Sequence, residues 1–179
     1  MLRESALAYL HTQNAHADQT VQIGWFIFKI VDTASGIDLE TLDFKNIASY
    51  TSDFQTPEQI HWAQQETLQR LNVAPVDCTL GHSALVSASY KPFSPFAFLE
   101  RAVPTSSSDS GWYVGMRNDE FCSEDTDPEG LLSLESLYEL TIHDERFARF
   151  WLLPPGYRIF FDGDDPTIEK VEQGAAANP

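Results

Sequence analysis

Residues 21–31 read VQIGWFIFKIV. Only Gln22, Gly24 and Lys29 interrupt an apolar run, and β-branched and aromatic side chains dominate it. Such a composition reads as a strand buried on both faces. The turn-forming TASGID at 33–38 ends it. Upstream, residues 3–12 have helix-forming composition and predict a short helix or a loose arm. Downstream, LETLDFKNIASY at 39–50 places apolar residues at 39, 42, 44, 47 and 50, a spacing open to a short helix or a strand.

The next segment has a clearer signature. In TPEQ, Thr56 stands as N-cap, Pro57 at the first helical position and Gln59 at the capping-box position. Ile60, Ala63, Leu68 and Leu71 continue the apolar stripe, and Pro75 lies beyond the end. Beyond it, residues 78–90, 96–103 and 111–116 read as strands. Residues 132–142 and 144–151 suit short helices, the second with Phe147, Phe150 and Trp151 on one side. Pro154, Pro155 and Gly156 stop it, and YRIFFD at 157–162 reads as a strand with Tyr157, Ile159 and Phe161 on one face. Strands and helices without strict βαβ alternation predict an α+β fold, with several short helices around a mainly antiparallel sheet. The polar PTSSSDS at 104–110 is the expected joint. It divides residues 1–104, an N-terminal α+β half, from a C-terminal half at 105–166, with 167–179 as a mobile tail.

Charge narrows the partners. Twenty-seven acids against eleven bases give a net charge of −16. Such a surface repels nucleic acid and anionic membranes and attracts basic proteins. The charge is uneven. Residues 1–99 carry ten acids and five bases, and residues 100–179 carry seventeen acids and six bases. The densest stretch is RNDEFCSEDTDPEG at 117–130, with six carboxylates. The N-terminus has no apolar run long enough for a signal peptide, and no segment approaches the ~20 apolar residues of a membrane span. The expectation is a soluble cytoplasmic protein. Cys78 and Cys122 stand far apart without a CxxC or Cys/His cluster, so they read as two free buried thiols, with one disulfide as the alternative, rather than as a zinc site.

Three constellations invite a chemical reading, and each is incomplete. GHSAL at 81–85 lacks the closing glycine of a nucleophile elbow, because Leu85 stands there, so a hydrolase centred on Ser83 with His82 or His143 is the weaker alternative. His143-Asp144-Glu145 has no second histidine at metal-binding spacing and reads better as a helix start with acids near its N-terminus. DTDPEG at 125–130 opens like a calcium loop through Asp125, Asp127 and Glu129. The closing bidentate acid would fall at Ser136, and Pro128 restricts the turn. No glycine-rich phosphate loop is present. The expectation is a non-enzyme that carries no cofactor and no metal.

The C-terminal third supplies a resemblance. SGWYVG, an acidic loop, DTDPEGLLSLESL and PPGYRIFF follow one another in that order. This succession resembles the domain of immunity protein family 33 over residues 110–162. Gly111 and Trp112 match its Gly-Trp, and Asp127 and Pro128 its acidic Asp-Pro loop. Gly130, Ser133 and Leu134 match its Gly-x-x-Ser-Leu, and Pro155 and Gly156 its closing Pro-x-Gly strand. The resemblance implies an antitoxin of bacterial polymorphic-toxin or contact-dependent systems, which binds a cognate toxin domain and blocks it. On that reading Asp119, Glu120, Glu124, Asp125, Asp127 and Glu129 form the electrostatic part of a toxin-binding surface for a basic partner. Phe121 or Trp112 is the candidate aromatic anchor, although a tryptophan on a strand, as Trp112 is, more often belongs to the core.

Overall fold

The computed structural model describes residues 2–13, 16–117, 131–162 and 165–171. The chain forms two compact units. The first contains the residues up to Leu80 together with Tyr138–Leu152, and the second contains Gly81–Leu137 together with the residues from Leu153 onward.

The first unit opens with helix α1 (Leu2–His11), followed by strands β1 (Thr20–Ile23), β2 (Phe26–Thr33), β3 (Gly36–Leu42) and β4 (Tyr50–Thr51). These pair antiparallel in the order β1-β2-β3-β4. The run at 21–31 is therefore two strands rather than one. Ile23 pairs with Phe26, and Gly24 and Trp25 make the two-residue turn between them. Gly24 has φ +59, which a two-residue hairpin turn accepts from glycine at its first position. Burial along β2 alternates, with Phe26, Phe28 and Ile30 buried and the residues between them half-buried, so only one face is core. The ambiguous segment at 39–50 resolves into the end of β3, a loop and β4. Asp43 holds that loop by accepting from the Lys45 backbone N–H (2.8 Å) and from Asn46 Nδ2 (2.7 Å), and Tyr138 donates its hydroxyl to the Asp43 carbonyl (2.7 Å).

Helix α2 spans Gln55–Leu71. Its N-cap is Phe54, not Thr56, and Thr56 and Pro57 sit in the first turn, where proline's missing N–H costs nothing. The Asp53 carboxylate accepts from the Gln55 N–H (2.9 Å) and takes the role expected of Thr56. Asn72, in the left-handed region at φ 53, closes the helix. A 3-10 helix (Glu145–Phe150) packs against α2 and is tied to it by Gln64, whose Nε2 donates to the Ala148 carbonyl (2.9 Å). Its start is capped by buried Asp144, which accepts from the Arg146 N–H and pairs with the Arg146 guanidinium at 2.6 Å. Asp144 and Glu145 thus stand at a helix start, as their carboxylates indicate, while His143 is the last residue of the preceding helix.

The second unit is a six-stranded sheet. Its strands are β5 (Ser83–Ser87), β6 (Ala97–Arg101), β7 (Asp109–Met116), β8 (Leu132–Ser136), β9 (Tyr157–Phe160) and β10 (Thr167–Lys170), in the order β10-β9-β6-β7-β5-β8. Only β5 and β7 run parallel; the other neighbours are antiparallel. The class is α+β with mainly antiparallel sheets, as expected. Three local expectations are corrected. Residues 132–136 are the strand β8, and helix α3 (Leu137–His143) begins only after it. The polar segment at 104–108 links β6 and β7 within this one sheet. Thr167–Lys170, expected in a free tail, pair with β9, while 172–179 lie outside the described residues.

Candidate functional site

Three residues that carry the family resemblance, Gly111, Trp112 and Gly156, form a frame around Arg101. Arg101 closes β6 with its side chain fully buried. Its Nε donates to the Ser110 carbonyl (3.1 Å), an Nη donates to the Leu153 carbonyl, and its guanidinium lies 5.5 Å from the Trp112 ring. Gly111 stands opposite in a left-handed conformation, φ +74, and a methyl group there would run into the Ala102 carbonyl oxygen. Close approach is required because the Ala102 N–H donates to the Gly111 carbonyl at 2.8 Å. Gly156, φ +91, donates its N–H to the Arg101 carbonyl and accepts from the Val171 N–H, both at 2.7 Å. Glycine is therefore required at both places by conformation and, at 111, by space as well. Trp112 is core, the role that a tryptophan on a strand more often takes, and not an exposed anchor.

Asp109 fastens the entry to β7. Its carboxylate accepts from the Thr105 N–H (2.8 Å), the Thr105 hydroxyl (2.9 Å) and the Gly111 N–H (2.7 Å). Partial burial works to raise its pKa, but those donors prevail and hold it below the ordinary carboxylate value.

The side of the sheet opposite Trp112 has a different character. Strand pairing aligns Leu134 of β8 with Leu85 of β5, Leu85 with Tyr113 of β7, Tyr113 with Glu100 of β6, and Glu100 with Arg158 of β9. Directly paired residues share a face, so this is one row across the sheet. Its β8 end is apolar and open to solvent, with Leu134 71% and Leu85 44% exposed. Phe98, itself almost fully buried, continues the row, its ring 5.5 Å from that of Tyr113 and 6.0 Å from that of half-buried Phe160. Beyond it the surface is charged. Arg158 pairs with Glu100 at 2.9 Å, and Arg117 lies 5.1 Å from the Phe160 ring while pairing with Asp162 at 2.6 Å. Sequence reasoning did not single out this stripe. The available signal was leucine at 85 and 134, in strands otherwise rich in serine.

The carboxylates expected at the toxin-binding surface, Asp119, Glu120, Glu124, Asp125, Asp127 and Glu129, lie outside the described residues, as does Phe121. In sequence they fall in the connection from β7 to β8, the strands that flank β5. The calcium alternative, on Asp125, Asp127 and Glu129, falls in the same segment; Ser136, where the closing acid would stand, pairs with Ser83 inside the sheet. Ser83 itself opens a β-strand and is not on a strand-to-helix turn. Its N–H donates to the Ser108 carbonyl (2.8 Å), and its carbonyl accepts from the Ser110 hydroxyl (2.7 Å). Nδ1 of the neighbouring His82 is buried and makes no hydrogen bond among the described residues, so the geometry of an activated serine is not assembled there. Among the described residues no group of three His, Cys, Asp or Glu side chains is arranged for a metal ion, and no helix is long and apolar enough to cross a membrane.

The model of the Imm33-like domain family matches residues 63–173. The match starts within α2 and runs through β10, so it takes in the whole six-stranded sheet and reaches well upstream of the resemblance legible at 110–162. No curated protein and no solved structure matches the chain.

Proposed function

We propose, from the premise that this chain belongs to the Imm33-like domain family, that it is an immunity protein. On this reading it binds a cognate toxin domain in the cytoplasm of the producing bacterium and occludes the toxin's active or target-binding surface, performing no chemistry itself. The observation that carries the reading is the family match over residues 63–173. The net charge of −16 supports it physically. Toxins that act on nucleic acid or nucleotides often have basic clefts, and an acidic inhibitor is steered onto such a cleft by long-range attraction. That steering raises association rates from about 10⁵–10⁶ toward ~10⁸–10⁹ M⁻¹s⁻¹ at low salt. Asp119, Glu120, Glu124, Asp125, Asp127 and Glu129 are the charges proposed to do this, with Phe121 as an apolar contact among them.

The test begins with the reading frame directly upstream of the gene. Its product is expected to be toxic when expressed alone, harmless when co-expressed with this chain, and recovered bound to it. A toxic product that is neither bound nor neutralised ends the proposal. Reversing charges singly and together between 119 and 129 is expected to slow association stepwise and flatten its dependence on salt, with smaller changes in dissociation. An unchanged association rate removes that segment from the interface without touching the immunity role.

A further inference from the structure

We infer that the open face of the six-stranded sheet, centred on the stripe Leu134–Leu85–Tyr113–Phe160, is where the toxin domain docks. The inference rests on the immunity reading and adds to it a surface distinct from the acidic segment. The stripe crosses five adjacent strands: Leu134 of β8 and Leu85 of β5 are exposed, Tyr113 of β7 and Phe160 of β9 are half-buried, and Phe98 of β6, itself almost fully buried, packs between those two rings. At a strand spacing of about 4.8 Å the stripe is roughly 20 Å long, on the scale of a standard interface of ~800 Å² per partner.

Position makes the stripe unusual. β8 is an edge strand, where soluble proteins ordinarily place charge to discourage association. Here the edge carries Leu134, the most exposed of the large apolar side chains described. The same-face neighbours of the two leucines on their own strands are short or apolar: Leu132 and Ser136 beside Leu134, and Ser83 and Ser87 beside Leu85. Neither leucine is screened by a long polar side chain of its own strand. The surroundings complete an interface pattern of apolar centre and polar rim. Glu100 and Arg158 neutralise one another, leaving little net charge to desolvate toward β9, and Glu169 of β10 stands at the far end of the row.

Charge decides the occupant. Two copies of a chain at −16 repel each other, so the face is poorly suited to self-association, and nucleic acid is disfavoured for the same reason. A basic protein domain is drawn in. The partner surface that fits is a convex one, with apolar side chains seated over Leu85 and Tyr113 and basic residues around them. The overall charge then governs the rate of encounter, while burial of the stripe governs the lifetime of the complex.

The test uses the full chain and the toxin domain encoded directly upstream. Leu85→Ser with Leu134→Ser is compared with the wild type and with Ile47→Ser, an exposed apolar position in the first unit. Melting temperatures verify folding. The double variant is expected to bind about 30-fold more weakly or worse, chiefly through faster dissociation, and to lose protection in co-expression, whereas Ile47→Ser binds as wild type. Tyr113→Phe, which keeps the ring, is expected to retain binding to within about threefold. Binding by the folded double variant within threefold of wild type overturns the docking surface and leaves the immunity function standing. Failure of the wild-type chain to bind overturns both. Sedimentation that shows a wild-type dimer lost in the double variant assigns the face to a second copy and overturns the toxin as its occupant.

Discussion

The two faces of the six-stranded sheet are made by the same strands and do opposite things. On one, Ala84, Val86, Leu99, Arg101, Trp112, Val114 and Ile159 are fully or almost fully buried. On the other, Leu134 and Leu85 stand in solvent beside Tyr113. Adjacent residues of one strand therefore belong to different problems. Trp112 and its neighbour Tyr113 point to opposite sides, and so do Ala84 and Leu85. The lesson concerns the motif. Of the described residues of the family resemblance, Leu134 stands on the open face, whereas Gly111, Trp112 and Gly156 belong to the frame around Arg101. They report on how the domain is built, whereas partner choice is proposed to lie on the opposite face and in the acidic connection.

This contrast predicts a separation of effects, largest where the frame is cut. Arg101→Ala is expected to cost about 4 kcal/mol, because it leaves a cavity and strips the buried Ser110 and Leu153 carbonyls of a donor. Chemical denaturation measures it, and a loss below about 1 kcal/mol would show that the buried face tolerates what its geometry forbids. Gly111→Ala follows at about 2–3 kcal/mol, combining left-handed strain with the clash against Ala102. Alanine at an ordinary strand position near it serves as the control.

Asp109 sharpens the comparison through pH. Its pKa is depressed in the folded state, so its contribution is present above the unfolded carboxylate value and is lost as pH falls through the lower folded one. Asp109→Asn is therefore expected to be less stable than wild type at neutral pH, with the gap closing below about pH 4. A gap independent of pH would assign the loss to packing and not to charge. Arg158→Ala, which removes a half-exposed ion pair on the open face, is expected to cost no more than about 1 kcal/mol. Leu134→Ser is expected to change stability by less than about 0.5 kcal/mol while weakening the proposed toxin complex. A large loss of stability there would break the comparison, because it would make the open face structural.

The extent to which this was legible in the sequence follows from the range of the interactions involved. The α+β class, α2, β7 and β9 were readable because composition and local spacing report on neighbours a few residues apart. The hairpin at 21–31 was misread because one glycine in an apolar run signals a turn only when the returning strand is present to pair. β8 was read as helix because LSLES alternates too weakly to separate the two periods, and pairing with β5 decides it. Asp53 displaced Thr56 as the capping group because either carries a suitable oxygen, and the chain entering from β4 brings Asp53 to the Gln55 N–H.

The site divides in the same way. The sequence by itself determined the charge of −16, the acidic segment at 119–129, the incomplete state of every catalytic or metal motif, and the Gly-Trp and Pro-x-Gly signature, since all of these are counts or short spacings. Only the tertiary structure decided that Arg101, Gly111, Trp112 and Gly156 meet in one buried frame, and that Leu85 and Leu134, far apart along the chain, stand side by side in the open. Strand order and register are set by long-range pairing, and no local pattern in the chain encodes which distant residue will be the neighbour.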